Sequence, residues 1–143
     1  MAIKNDKSSD KSGTYYYNRG LVKSRLDKVK SAIDDYVKAL DHLTEDEYKY
    51  QALFNKGIQH RRMGNLAESI KDLQDATGLK KDKPSAYNNL ALSQFENEDF
   101  DAAITNYDKA ITLCKSAVHY NNRGLAHYHM NDLKSAEMTS MKP

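Results

Sequence analysis

The tetrapeptide Asn-Arg-Gly-Leu stands at 18–21 and again at 122–125 of a 143-residue chain. A chain that repeats itself at long range must fold its copies alike, so this echo constrains the architecture more than any composition figure. Anchored on Gly20 and Gly124, two further copies come into register at Gly57 and Ala91, giving spacings of 37, 34 and 33 residues. The flanking columns agree. Four residues before the anchor stand Tyr16, Leu53, Tyr87 and Tyr120, and one after it Leu21, Ile58, Leu92 and Leu125. Nine after it stand Val29, Leu66, Phe100 and Leu133, and twelve after it the small residues Ala32, Ser69, Ala103 and Ala136. Sixteen after it stand Tyr36, Leu73 and Tyr107, and nineteen after it Ala39, Ala76 and Ala110. In the fourth copy those last two columns hold Ser140 and Pro143, so its second half is incomplete.

Each copy holds two helical patterns. The first runs over roughly 13–26, 50–63, 84–97 and 117–130, and the second over roughly 29–43, 66–79, 100–114 and 133–141. Between them lie Asp27-Lys28, Gly64-Asn65, Glu98-Asp99 and Asn131-Asp132, residues of turns and helix starts. Asn65 with Glu68, and Thr44 with Glu47, have capping-box spacing, and Pro84 suits a first helical turn. The small columns have a mechanical reason: paired helices approach within about 8–10 Å only where side chains are short. One hairpin cannot bury its apolar faces, whereas a stack of several shares a continuous core. The expectation is an all-α fold. A charge pattern runs through it as well. Arg19 is matched by Asp35 and Lys56 by Asp72, while Leu90 is matched by the neutral Asn106, which predicts contact between the two helices of a hairpin. Arg123 breaks the series, with Thr139 opposite.

The 34-residue period, the small residue in each helix and the aromatic ahead of the glycine resemble the tetratricopeptide repeat family over about 13–143. The resemblance implies a right-handed superhelix of antiparallel helix hairpins, an α-solenoid of three full repeats and a truncated fourth. Its repeats would span about 13–49, 50–83, 84–116 and 117–143, behind a disordered tail at 1–12. Departures concern loops and inner wall. Thr44, Lys81 and Lys115 stand where a proline commonly ends a repeat, and the first connection has three extra residues. The family's clamp for a C-terminal carboxylate uses Lys, Asn and Arg columns that here hold Tyr17 or Phe54, Leu21 or Ile58, Val118 and Asn122, so a chaperone-tail clamp is not expected.

By the same resemblance the first helix of each pair lines a concave groove, where function is to be sought. Two residues before every anchor stands an asparagine: Asn18, Asn55, Asn89 and Asn122. An amide column offers a donor and an acceptor at each step. It serves either as a ladder for the backbone of an extended peptide or as a set of bonds between helices that stiffens the stack. Tyr17 and Phe54 precede two of these asparagines, and Arg25, Arg61, Arg62, Phe95 and Tyr128 project further along the same helices. These residues form the expected peptide-binding surface, with the arginines either facing an acidic ligand residue or simply solvated. The column of Leu21, Ile58, Leu92 and Leu125 is either core or an apolar strip for a partner.

Charge and chemistry narrow the rest. Lys and Arg number 22 against 20 Asp and Glu, which provides no footprint for nucleic acid. No apolar run approaches the roughly 18 residues of a membrane span. The lone Cys114 cannot form an internal disulfide, which points to a reducing, cytoplasmic setting. His127 and His129 are two apart and face different ways, and no phosphate loop or zinc spacing is present. The expectation is a non-enzymatic interaction module or adaptor for a protein or peptide, without metal or cofactor and with no small-molecule ligand. Self-association through an uncapped C-terminal end stands beside it. Two other roles stay open: the targeting array of a larger enzyme, and a structural component packing through its convex face.

Overall fold

The computed structural model describes residues 6–140, and the side chains of residues 11–138. Its seven helices are α1 (Asp6–Arg25), α2 (Val29–His42), α3 (Asp46–Arg62), α4 (Leu66–Leu79), α5 (Pro84–Glu96), α6 (Phe100–Leu113) and α7 (Ala117–Ser140). There is no strand among the described residues. Two compact units hold them, α1–α4 within Met1–Lys81 and α5–α7 within Asp82–Pro143.

The three complete hairpins turn in one way. Residues Asp27, Gly64 and Glu98 have positive φ, 59°, 81° and 63°. At each turn the next residue's N–H reaches back five residues: Lys28 to Lys23 O at 2.9 Å, Asn65 to His60 O at 2.9 Å and Asp99 to Gln94 O at 2.8 Å. This is the Schellman closure, in which a left-handed residue satisfies the last carbonyls of a helix. Only Gly64 adopts that conformation without steric penalty; Asp27 and Glu98 hold it because the hairpin they close buries enough surface. Pro84 opens α5 as its position predicts. The Asn65 capping box does not form: Asn65 precedes α4 without a side-chain cap bond, and its Nδ2 lies 3.4 Å from His60 Nδ1 instead. Helix α3 begins at Asp46, after Glu45.

Closure puts the small columns where helices meet. Ala32, Tyr36 and Ala39 of α2, Ser69, Leu73 and Ala76 of α4, and Ala103, Tyr107 and Ala110 of α6 are all buried. A Cβ added at Gly20 would lie 2.8 Å from Tyr36 Cε1, and one at Gly57 2.7 Å from Leu73 Cγ. The large residue of the second helix therefore lies directly on the bare backbone of the first. In the first unit Ala39, Leu43 and Ala52 continue the core into the next repeat, with Tyr16, Tyr17 and Leu40 against them. In the second, Ala91, Ala103, Tyr107 and Ala126 make the equivalent cluster.

Three expectations are corrected. Residues 6–12, read as tail, belong to α1, and residues 1–5 lie outside the described residues. The three extra residues of the first connection lengthen α3 instead, which has 17 residues against 13 in α5. Asp46 and Glu47 in its first turn favour that extension by opposing the helix dipole. Finally, Asn131-Asp132 forms no turn, and α7 runs on for 24 residues. A left-handed residue is stabilised only by the packing it permits, and the fourth copy has no tyrosine or leucine to lay on Gly124. Nothing lies within 4 Å of a Cβ built there, and Leu133 and Met138 remain 48 % and 67 % exposed.

The anchor column should thus respond to one substitution with opposite signs. Gly20→Ala and Gly57→Ala force a displacement of a buried Tyr36 or Leu73 and should lower stability by about 1–3 kcal/mol. Gly124→Ala adds helix propensity in open space and should raise it by about 0.5–1 kcal/mol. Urea denaturation of the three variants measures both.

Candidate functional site

The first helices α1 and α3 meet through a polar rail. Asn55 Nδ2 donates to Tyr17 Oη at 2.9 Å and to the Gln51 carbonyl, one turn back, at 2.9 Å. Gln59 Nε2 donates to Ser24 Oγ at 2.7 Å. Arg62 donates to Gln59 Oε1 at 3.0 Å and also to Asp27. Every link crosses from one repeat to the next or braces a side chain that does. In the second unit Asn122 Nδ2 donates to Asn88 Oδ1 at 3.2 Å, joining α7 to α5 in the way that Asn55 and Tyr17 join α3 to α1. Asn89 donates to the Ser85 carbonyl of its own helix at 2.8 Å.

The asparagine column is therefore divided in use. Asn55 and Asn122 spend their amide protons on neighbouring repeats, which is the stiffening role, and Asn89 on its own turn. Asn18 is exposed and makes no side-chain hydrogen bond among the described residues. It lines a pocket of about 110 Å³ with Thr14, Tyr17, Leu43, Tyr48 and Gln51. Tyr17 is fixed there twice, by Asn55 and by its ring against Tyr36, with centroids 5.8 Å apart. Burial raises the Tyr17 phenol above its ordinary value, against the pull of the Asn55 bond, so it stays neutral.

The other expected site residues are dispersed. Phe54 is half-buried and stacks on Tyr50 at 5.8 Å. Phe95 is half-buried and packs against Phe100 at 5.6 Å and His129 at 5.2 Å, beside the core of its unit. Tyr128 is 62 % exposed on α7. Of the arginines, Arg62 is engaged by Asp27 and Gln59 rather than offered to a ligand, Arg61 is half-buried, and Arg25 is exposed. Leu21, Ile58 and Leu92 are half-buried, and Leu125 is exposed. Thr14, Leu43 and Gln51 lie within the expected helices but were not singled out, and Tyr48 was missed because the repeat register starts the helix at Tyr50. The acidic run at 45–47 was the available signal for an earlier start.

Charge inside the hairpins follows the expected pairing. Asp35, with its side chain 1 % exposed, takes Arg19 at 2.7 Å and Lys23 at 2.9 Å. Lys56 lies 3.1 Å from Asp72, with His60 at 3.8 Å. Asn106 is buried and donates to Gln94 Oε1 at 2.7 Å, the neutral counterpart in the third repeat. Arg123 turns to Asp108 at 2.7 Å instead. The two carboxylates shift oppositely. Hydrogen bonding from Arg19, aided by Lys23, holds Asp35 at about 2, below its ordinary 3.8. Burial dominates at Asp72 and raises it despite Lys56, and its Oδ2 accepts no hydrogen bond among the described residues.

Among the described residues no group of three or more His, Cys, Asp or Glu could hold a metal ion. None of the described helices is long and apolar enough to cross a membrane. The tetratricopeptide repeat profiles match residues 13–41, 50–83 and 84–116, more than half of the chain. The chain belongs to the tetratricopeptide repeat family. Several solved repeat domains superpose on it. The C-terminal repeat domain of an FK506-binding-type protein of Plasmodium falciparum does so with a TM-score of 0.81 at 17 % identity, covering 95 % of this chain and 97 % of its own. The first repeat domain of RPAP3 (Spaghetti), solved with the HSP90 peptide SRMEEVD, scores 0.77 at 19 % identity, covering 85 % and 98 %. The TPR2B domain of yeast Sti1, solved as a pHsp70 complex, scores 0.77 at 15 % identity, covering 82 % and 98 %. At these identities the likeness is one of fold: an all-α solenoid built from helical hairpins.

Two outcomes follow from the site's bonding. Asn55→Ala removes an interrepeat bond and should cost about 1 kcal/mol, or roughly 3 °C in melting temperature, while Asn18→Ala should leave melting unchanged. The carboxylates should show opposite pH slopes. Asp35 contributes about 2 kcal/mol that is complete above pH 4 and fades as pH falls from about 4 to 2. Asp72 favours the folded state most below the ordinary carboxylate value and progressively less as pH rises through its raised one. Urea titrations of Asp35→Asn and Asp72→Asn at pH 2.5 and 7 should therefore differ from the parent in opposite senses with pH.

Proposed function

We propose that this chain is a protein-interaction module that binds an extended peptide segment of a partner along α1 and α3. The carrying observation is the contrast on that face. Its structural amides are consumed by the rail, while Thr14, Asn18 and Tyr48 have side chains with no hydrogen-bond partner among the described residues and surround one pocket. Polar groups gathered round a concavity, and held on helices already locked to each other, suit a ligand that brings its own backbone donors and acceptors. The solved RPAP3 domain and its HSP90 peptide support the class of ligand, though the tail-clamp columns differ here. The role that fits is an adaptor, not a catalyst.

A second reading rests on α7. Leu125, Tyr128, Leu133 and Met138 are each at least 47 % exposed, and Gly124 is uncovered, so this helix suits self-association or a partner helix. Sedimentation at rising concentration tests it, with a constant monomer mass as the excluding result.

Panning a random peptide library on the whole chain checks the first reading. Enriched peptides should move backbone NMR signals in residues 14–25 and 48–62. Failure to enrich any peptide, or shifts confined to α2 and α4, would exclude it.

A further inference from the structure

We infer that the pocket between α1 and α3 takes one aliphatic side chain, of leucine, isoleucine or methionine size, from an uncharged stretch of the bound peptide. This rests on the peptide-binding reading above and states what that site selects. The size is right: a cavity of about 150 Å³ holds benzene, and this one is about 110 Å³. Its apolar walls are the rings of Tyr17 and Tyr48 and the side chain of Leu43, while Thr14, Asn18 and Gln51 supply the polar groups. None of the six carries charge at neutral pH.

Three of the charges nearest the pocket in sequence are already matched. Arg19, next to Asn18 in sequence, and Lys23 are both held by Asp35. Glu47, next to Tyr48, is held by Lys80 at 3.1 Å. An acidic or basic side chain entering the pocket would leave water for a lining that holds no residue of opposite charge. A neutral aliphatic group loses only its contact with water. The same pocket therefore rejects acidic tails. Asn18 completes the recognition, since its amide offers both a donor and an acceptor to the peptide unit that carries the anchor. Tyr17 is already immobilised by Asn55 and Tyr36, so the wall is ordered before the ligand arrives.

The test is an NMR titration of the whole chain with two probes, N-acetyl-leucine N-methylamide and N-acetyl-glutamate N-methylamide. The leucine probe should bind in the millimolar range, as a ligand of that size permits, with shifts at residues 14–18, 43 and 48–51. The glutamate probe should bind at least about tenfold more weakly. Thr14→Phe, at an exposed helix position, should fill the pocket and abolish the leucine shifts while melting stays unchanged. Asn18→Ala should weaken them several-fold. Equal or tighter binding of glutamate, shifts elsewhere, leucine shifts that survive Thr14→Phe, or no leucine shifts at all would each overturn the assignment. Library peptides that bind α1 and α3 without the leucine probe doing so would remove this inference alone. Failure of both would remove the peptide-binding reading with it.

Discussion

A large side chain resting on bare backbone is the contact from which the rest of this molecule follows. Tyr36 over Gly20 and Leu73 over Gly57 let two helices close to a distance that no Cβ would permit. That closeness sets the small columns beside each other and makes the left-handed turns at Asp27 and Gly64 worth forming, while the third hairpin closes at Glu98 with Tyr107 packed on the small Ala91. α7 shows the dependence by its exception. Its glycine and its turn residues are in place, but the covering ring is not, and the chain continues as one helix.

Within each unit, successive repeats join through the second helix of one on the first helix of the next, as in the Ala39, Leu43 and Ala52 cluster, and the first helices add polar links to each other. Tyr17 and Asn55, Ser24 and Gln59, and Asp27 and Arg62 form one rail in the first unit, and Asn88 and Asn122 repeat its motif in the second. Such bonds add modest stability, but they fix the register of one helix on the next. Asn18, the first member of the column, lies on α1 and no described side chain bonds it, so its amide stays available beside a pocket.

The buried charges teach a related lesson. Asp35 and Asp72 occupy the same column and were legible as partners of Arg19 and Lys56. Their protonation was not. Asp35 receives two cations in hydrogen-bond geometry and is pulled down, whereas Asp72 has one close lysine and a more distant histidine, and burial prevails. A column alignment records which residue types oppose one another. It does not record how many donors reach a carboxylate or how much water remains around it.

Sequence alone determined the period, the small columns, the hairpin partners and hence the family, because each is a rule about residue type at fixed spacing. It also brought Asn18 and Tyr17 forward as candidates for the proposed peptide site. Tertiary structure decided which asparagines bond neighbouring helices, that Arg62 and Phe95 hold the scaffold, and that α3 begins early enough to bring Tyr48 to the pocket. Those outcomes depend on competition among neighbours for the same donors and the same space. Spacing along the chain carries no information about that competition until the helices have met.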